Sequence, residues 1–274
     1  MAVKFINYAK DYLRFKKEYD AAWESVNLRG DLILRKDVEE FEERLADYVG
    51  TKYAVAVSNG TDAIILSLRA LNVDGFQWKV NIPSHTFKST AGAVQSAHQD
   101  ADLELYDLGE LPGNSDVGVV AHIAGELYPL FKTRDGLIED SAQAFGAVKN
   151  PITSAQTWSF YPAKILGCKG DAGAVTTNDP QVYEYIKEAR NHFKTDNRDF
   201  GGNYRMDNLQ AALLNIKIQH IDEILARRKE IAQMYIENGI TPANKNSLNW
   251  QDFIIQTPRR DALYDTLKVQ GIET

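Results

Sequence analysis

The chain has 274 residues, enough for one large mixed α/β domain with an appendage and too few for two full domains. Hydrophobic residues make up 44% and charged residues 25%, and no apolar run is long enough to span a bilayer, which excludes disordered and membrane-spanning proteins. Lys and Arg number 31 against 38 Asp and Glu, and the net charge of −7 disfavours nucleic acid as a partner. A phosphorylated ligand must therefore be held by local groups.

The number and spacing of cysteines and histidines limit which disulfides and metal sites the chain can form. Cys168 is the single cysteine, which excludes an internal disulfide framework, and with no adjacent base it is expected to be a packed small residue. The five histidines lack paired metal-ligand spacing, so no metal site is predicted. Residues 1–15 carry charges where a secretory signal needs an apolar stretch, and we expect a cytoplasmic location.

The first part of the chain alternates helices with short strands. Apolar residues at helical spacing after Asp37 predict a helix that Gly50 ends, and YAVAV at 53–57 predicts a strand. That strand leads through Ser58-Asn59-Gly60-Thr61 into a second helix. Further strands are predicted near residues 80, 103, 117 and 136, and at 172–177. This alternation is typical of a mainly parallel sheet flanked by helices.

The pattern changes from Asp207 onwards. One long amphipathic helix is predicted from there to about Ile236, before Asn238-Gly239. One strand, DFIIQTP at 252–258, and one helix, RRDALYDTLKVQG, follow, with too little apolar surface to fold alone. We therefore predict a large domain over residues 1–236 and a truncated small C-terminal α/β part over 237–274.

Two strand ends carry candidate binding groups. The turn at Ser58-Asn59-Gly60-Thr61 opens a helix, whose free N–H groups and positive dipole end suit a phosphate. An ordinary polar turn is the alternative. Asp140 follows a buried-looking strand, where open α/β sheets place ligand-binding groups. Its alternative role is to cap the next helix.

Lys164 is the third candidate. It lies between an aromatic segment and a Gly-rich turn in WSFYPAKILGCKGDAGAV. A lysine in such surroundings has a depressed pKa, and a neutral amine is what a Schiff base to an aldehyde cofactor requires. The alternative is a solvated lysine whose stem packs on Tyr161.

Five segments in one order carry a family resemblance. They resemble the DegT-type (StrS-like) pyridoxal-phosphate-dependent nucleotide-sugar aminotransferases of fold type I. The segments are VEEFEERLADYVGTKYAVAVSNGTDAI, IPSHTFKSTAGAV, IEDSAQAFGA, SFYPAKILGCKGDAGAV and GGNYRMDNLQAALL. The resemblance implies a fold type I transferase-like large domain that binds pyridoxal 5'-phosphate.

The resemblance also implies roles for the candidate residues. Lys164 would form the Schiff base and then carry the proton between the cofactor carbon and the substrate carbon. Asp140 would pair with the pyridinium nitrogen and keep the ring an electron sink. Relatives that deoxygenate the sugar carry histidine in place of the lysine, so Lys164 argues against that reaction.

Other positions would bind the cofactor. Phe87 would stack on the ring and Gln143 would approach the ring hydroxyl. The phosphate would be held by Gly60, Thr61 and Ser159. These roles too are implied by the resemblance.

The resemblance further implies a homodimer with composite active sites, in which Asn203 reaches the phosphate of the neighbouring subunit. The expected function is transfer of an amino group, from glutamate, to a keto-sugar nucleotide. The alternative is a non-catalytic pyridoxal-phosphate-binding or regulatory relative that has lost its substrate-binding half. Sequence does not name the sugar, the nucleotide or the position aminated.

Three departures from the family pattern accompany the resemblance. The stretch between residues 122 and 136 is much shorter than in the family, and the chain stops at Thr274 where relatives continue. Asn208 replaces the acid that commonly follows Asn-Tyr-Arg-Met, and His192-Phe193 replaces a His-Gly pair.

Overall fold

A computed structural model of the chain describes residues 2–71, 78–134, 136–195 and 201–274. Over these residues, seven strands form one sheet and nine α-helices accompany it. The strands are β1 (Tyr53–Val57), β2 (Lys79–Pro83), β3 (Asp102–Tyr106), β4 (Val117–Ala121), β5 (Gly136–Asp140), β6 (Ala155–Ser159) and β7 (Gly173–Thr177). The helices are α1 (Tyr8–Arg14), α2 (Lys16–Arg29), α3 (Lys36–Val49), α4 (Gly60–Ala70), α5 (Lys88–Ala97), α6 (Pro180–Ala189), α7 (Asn208–Gln219), α8 (Ile221–Glu237) and α9 (Arg260–Val269). Of the described helices, none combines the length and the apolar character that crossing a bilayer demands.

The sheet is mainly parallel, as predicted. Its strand order is β1-β7-β6-β5-β4-β2-β3. Strand β7 runs antiparallel to β1 and β6, and the other neighbouring pairs are parallel. The register sets Asp140 level with Ala121 on one side and Thr157 on the other. The carboxyl ends of β2, β4, β5 and β6 therefore meet at one edge, where such sheets bind ligands.

Helices cover both faces of the sheet. Successive residues of a strand point to opposite faces. In β1, Ala54 and Ala56 pack in a core with α3 and α7, and Val55 and Val57 pack in another core with α4 and α6. Both sets are buried, which explains why YAVAV is continuously apolar.

The shortened stretch connects two adjacent parallel strands. Residues 122–134 lead from β4 towards β5 without a helix or strand. Phe131 covers the sheet there: a Cβ on Gly118 would lie 2.5 Å from its ring. The ring also meets Tyr106 edge-on at 5.4 Å. An aromatic side chain over a glycine thus covers the sheet where a crossover helix would otherwise lie.

The prediction of one helix from Asp207 to Ile236 is wrong in one respect. The helix breaks at His220, whose backbone has φ −103° and ψ 9°, and α7 and α8 continue on either side. Helix α7 is buried along most of its length, whereas α8 buries only Ile221 and Ala232. The chain leaves the core at this point, and the Phe15 ring packs on the His220 ring at 4.9 Å.

The predicted strand at 252–258 is also wrong, because these residues form no strand. A strand needs a neighbour to satisfy its backbone groups, and no strand of the described residues runs beside this segment. Helix α9 is present as predicted but buries no residue. The small C-terminal part is therefore one helix joined to irregular chain.

Candidate active site

A cavity of about 810 Å³ opens at the carboxyl ends of the parallel strands. Seven of the eight predicted site residues line it, and Asn203 does not. These seven are Gly60, Thr61, Phe87, Asp140, Gln143, Ser159 and Lys164. Below, this space is called the central cavity.

The start of α4 forms one wall of the central cavity. Asn59 caps the helix by accepting a hydrogen bond from the Asp62 backbone N–H at 2.9 Å. The N–H groups of the preceding first-turn residues, Gly60 and Thr61, have no partner within a helix. A Cβ on Gly60 would lie 2.8 Å from the Ser159 Cβ, so the close approach requires glycine. Helix N–H groups therefore lie beside a serine, an arrangement that suits an anion.

Asp140 ends β5 and is buried. Its Oδ2 accepts a hydrogen bond from the Thr90 hydroxyl at 3.1 Å, and its Oδ1 accepts one from the Ala142 N–H at 3.2 Å. Burial raises the pKa of the carboxyl group, against these hydrogen bonds and the charge of Lys164. The capping alternative is wrong, because residues 141–149 contain no helix.

Lys164 follows β6 on a tight turn, where its N–H bonds the Tyr161 carbonyl at 2.8 Å. Its side chain is half-buried, and burial lowers the pKa of the ammonium group. The carboxylates of Asp140 and Asp252 act in the opposite direction. Lys164 is therefore less exposed than the solvated lysine of the alternative. Lys164 is also the one Lys or Arg among the described residues of the cavity wall.

Phe87 and Gln143 leave groups open to a ligand. Phe87 precedes α5 and has 72% of its surface exposed. The Gln143 Oε1 accepts a hydrogen bond from the Ala124 N–H at 2.6 Å, which leaves its side-chain N–H groups as donors. An open aromatic face and an amide donor thus line the same space.

Asn203 lies apart from the central cavity in the single chain. It is exposed, forms an antiparallel bridge with Asn191, and accepts a hydrogen bond from Arg205 Nε at 2.9 Å. The segment that precedes Asn203 includes residues 196–200, which lie outside the described residues. Its flank nonetheless runs beside the site, since the Tyr204 carbonyl accepts from the Ser58 N–H at 2.9 Å.

Sequence reasoning missed two cavity residues in the C-terminal part, Gln251 and Asp252. Burial raises the pKa of Asp252, while Lys164 and Arg228 oppose the shift. The missed signal is Asp252 itself, the acid at the start of DFIIQTP, directly before the apolar residues Phe253-Ile254-Ile255. Reading the segment as a strand concealed it.

Cys168, next to the lysine turn, is a packed residue as expected. It is buried, and its thiol donates to the Gly170 carbonyl at 2.7 Å. Burial raises the pKa of the thiol to about 11. The thiolate is therefore scarce at neutral pH.

The model of the DegT/DnrJ/EryC1/StrS aminotransferase family matches residues 14–102 and 132–274. The chain belongs to this family. The unmatched interval contains most of the shortened connection between β4 and β5. The match covers every one of the predicted site residues, including Asn203.

Characterised relatives extend the comparison. The chain is 32% identical to a dTDP-3-amino-3,6-dideoxy-alpha-D-galactopyranose transaminase of Aneurinibacillus thermoaerophilus, over 99% of this chain and 84% of the relative. It is 31% identical to a UDP-2-acetamido-2-deoxy-3-oxo-D-glucuronate aminotransferase of Pseudomonas aeruginosa, over 99% of this chain and 85% of the relative. The crystal structure of S. venezuelae DesV in complex with a ketimine intermediate matches with a TM-score of 0.87 and 29% identity, over 99% of this chain and 82% of that one.

Proposed function

We propose that this aminotransferase-family protein uses pyridoxal 5'-phosphate to transfer an amino group from glutamate to a nucleotide-linked keto-sugar. The observation that carries the proposal is that a lysine with a lowered pKa, a buried aspartate and a helix N-terminus line one cavity. The names of the relatives, which are transaminases of dTDP-linked and UDP-linked sugars, support the substrate class.

The donor set of the central cavity fits pyridoxal phosphate. The N–H groups of Gly60 and Thr61 with the Ser159 hydroxyl suit the phosphate, and Phe87 offers a face to the ring. Gln143 offers an amide donor to the ring hydroxyl. When bound, the cofactor supplies an electron sink for the negative charge that develops on the substrate carbon.

Asp140 would hold the proton on the ring nitrogen of the bound cofactor. Its raised pKa shows that burial disfavours an unpaired carboxylate, so a cationic N–H partner restores a favourable environment. Thr90 and Ala142 fix both carboxylate oxygens in place. The side chain is therefore oriented before any ligand enters.

Lys164 serves as attachment point and as base. Burial favours the neutral amine, which is the nucleophilic form that attacks an aldehyde. With the cofactor bound, the Lys164 Nζ would also carry the proton between the substrate carbon that bears the amino group and the cofactor carbon. Asp140 and Asp252 stabilise the ammonium that forms in between.

The single chain lacks positive charge for a dianionic phosphate. Four aspartates and one lysine are the charged residues on the described wall of the central cavity: Asp62, Asp140, Asp171, Asp252 and Lys164. A helix N-terminus contributes about half a positive charge. We therefore propose that a second copy of the chain completes the site through Asn203, in a homodimer with two composite sites.

The non-catalytic or regulatory alternative is less well supported. Its main argument is that α9, in the C-terminal part, buries no residue. Lys164 and Asp140 do not separate the two functions, because a non-catalytic pyridoxal-phosphate-binding relative would keep both. The names of the relatives, which are those of transaminases, favour the enzyme.

An absorbance experiment separates the two functions. The purified protein is loaded with pyridoxal phosphate, and its spectrum is recorded before and after glutamate is added. The enzyme should convert the band of the lysine-bound aldehyde into that of the pyridoxamine form, and a dTDP- or UDP-linked keto-sugar should restore the first band. A lysine-bound band that glutamate leaves unchanged would favour the non-catalytic function.

A further inference from the structure

A polar stretch of the C-terminal part, residues 244–252, crosses the edge of the central cavity. It contains four buried polar side chains, which is unusual for irregular chain. They are Asn244, Ser247, Asn249 and Gln251. Each donates to or accepts from the backbone of a loop that forms the cavity. We call this stretch the clasp.

Gln251 binds the backbone on both sides of Lys164. Its Oε1 accepts a hydrogen bond from the Ile165 N–H at 3.2 Å, and its Nε2 donates to the Ala163 carbonyl at 3.3 Å. The side chain is 8% exposed. One carboxamide therefore ties down the peptide groups before and after the lysine.

The Gln251 side chain is itself held in place. Its backbone N–H donates to Asn249 Oδ1 at 2.9 Å, and its carbonyl accepts from Arg228 Nη1 at 3.1 Å. Asn249 in turn donates to the carbonyls of Gln143 and Phe145 at 2.9 and 3.0 Å. The clasp is thus anchored to a second cavity loop, and the carboxamide has little freedom to drift.

We propose that Gln251 is a positioning residue for Lys164, an inference that rests on the proposed role of Lys164 in amino transfer. Reacting groups must be held to within a fraction of an ångström, and a lysine has four rotatable bonds that only its backbone and surroundings restrict. A carboxamide offers a donor and an acceptor together, and this turn uses both. Methionine, of similar length and shape, offers neither.

Gln251→Met tests the proposal in the cofactor-free protein. The matched control is Asn215→Ala, which removes a buried amide bonded to the Asp37 carbonyl at 2.8 Å, on a helix away from the cavity. Hydrogen exchange at the Ile165 amide should accelerate about ten-fold in Gln251→Met, the effect of one net hydrogen bond on an equilibrium constant. The control should leave that amide protected.

A second readout follows the lysine itself. Competitive acetylation read by mass spectrometry gives the pH at which Lys164 becomes reactive. In Gln251→Met this pH should move upwards, towards that of exposed lysines, because a loosened turn lets the ammonium reach water. With cofactor bound, kcat should fall about ten-fold while KM for the nucleotide-sugar stays unchanged, as expected for lost orientation.

Hydrogen exchange and lysine labelling test the positioning role of Gln251 even if the protein does not transfer amino groups. Wild-type exchange at Ile165 and wild-type labelling of Lys164 in folded Gln251→Met would overturn it. If Gln251→Met does not fold, Gln251→Asn replaces it, since its carboxamide is one carbon shorter and cannot span both peptide groups. Should the wild-type protein show no amino transfer, exchange and labelling still report whether Gln251 positions Lys164.

Discussion

Asp140 is the residue at which stability and function conflict most directly. Its carboxyl group is buried, and its pKa lies above the value of about 3.9 that an unfolded aspartate has. A group whose folded pKa is raised contributes stability below the unfolded pKa, and this contribution is lost as pH rises through the folded pKa. At neutral pH, which lies above the unfolded pKa, the buried Asp140 carboxyl group therefore lowers the stability of the cofactor-free fold.

Asp140→Asn should consequently make the cofactor-free protein more stable. An amide carries no charge to desolvate and can still accept from the Ala142 N–H. A gain of about 1 kcal/mol at pH 7 to 8 would raise the melting temperature by roughly 2–4 °C, and the gain should vanish below about pH 4. Thermal unfolding across this pH range checks it. Amino transfer should be nearly abolished. If Asp140→Asn were less stable than the wild type at pH 8, burial of the Asp140 charge would not be destabilising.

Asp252 acts on Lys164 through charge. Its carboxylate favours the ammonium form and so raises the pKa of Lys164 against the effect of burial. Asp252→Asn should therefore lower the pKa of Lys164 further. In competitive acetylation of the cofactor-free protein near neutral pH, Lys164 should react several-fold faster. Asp171→Asn is the control, because Asp171 lines the cavity without acting on Lys164; equal acceleration by both variants would refute a specific pairing.

At the scale of elements, α7 and α3 are joined by a buried amide. Asn208 Oδ1 accepts the Val38 N–H at 3.1 Å, and Nδ2 donates to Asp37 Oδ2 at 2.6 Å. The residue is fully buried. An amide suits this position because an acid would confront the Asp37 carboxylate. The departure from the family acid therefore has a physical account in this chain.

Asn208→Ala should destabilise the fold by about 1 kcal/mol, because α7 loses two buried side-chain hydrogen bonds to α3, while the Val38 N–H keeps its bond to the Arg35 carbonyl at 2.9 Å. Denaturant unfolding measures the loss. Asn178→Ala removes a similar bond, which the Asn178 Oδ1 accepts from the Lys52 N–H at 2.9 Å. Asn178 is exposed, so water can replace its side chain as the acceptor. The control should lose markedly less. Equal losses would mean that burial of Asn208 contributes nothing.

The sequence predicted those helices and strands that can be recognised from the apolar pattern of their own residues. Strands such as YAVAV, apolar on both faces, and the helix ended by Gly50 were predictable for that reason. Strand β6 was not, because Gln156 and Thr157 look exposed in sequence. Both are buried, and Gln156 bonds Thr153 and Thr176. Whether such polar residues are buried in a strand depends on hydrogen-bond partners elsewhere in the chain.

The site residues also divide into those that local sequence predicts and those that depend on contacts with other parts of the chain. Asp140 ends a recognisable strand, Lys164 lies between an aromatic segment and a Gly-rich turn, and the family resemblance gave both residues roles. Gln251 and Asp252 reach the cavity only because the clasp folds back over the lysine turn. The break at His220 likewise depends on where α2 and α7 pack. Sequence pattern does not encode such approaches between distant segments.

At the scale of the whole molecule, the charge of the central cavity argues for two chains. Its described wall carries four aspartates against one lysine, Lys164, and the protein as a whole has a net charge of −7. A dianionic phosphate in such surroundings needs donors beyond one helix N-terminus. Asn203 lies exposed on a flank of the site and outside the cavity of its own chain. We therefore propose that its amide serves in the cavity of a partner chain.

Mixing two inactive variants tests this arrangement. Lys164→Ala and Asn203→Ala subunits should each be inactive alone, or nearly so, when amino transfer is assayed. In a mixed dimer with composite sites, one site receives both lesions and the other receives neither. Random mixing of equal amounts makes about half of the dimers mixed, each with one intact site, so activity should recover to roughly a quarter of wild type.

The controls make the result decisive. Differently tagged subunits, purified through both tags, verify that mixed dimers formed. Mixing Lys164→Ala with Asp140→Asn should restore nothing if both residues act within one chain, because every site then carries one lesion. Recovery with Asn203→Ala but not with Asp140→Asn supports the composite site. No recovery in verified mixed dimers would place Asn203 in the site of its own subunit or outside the site altogether.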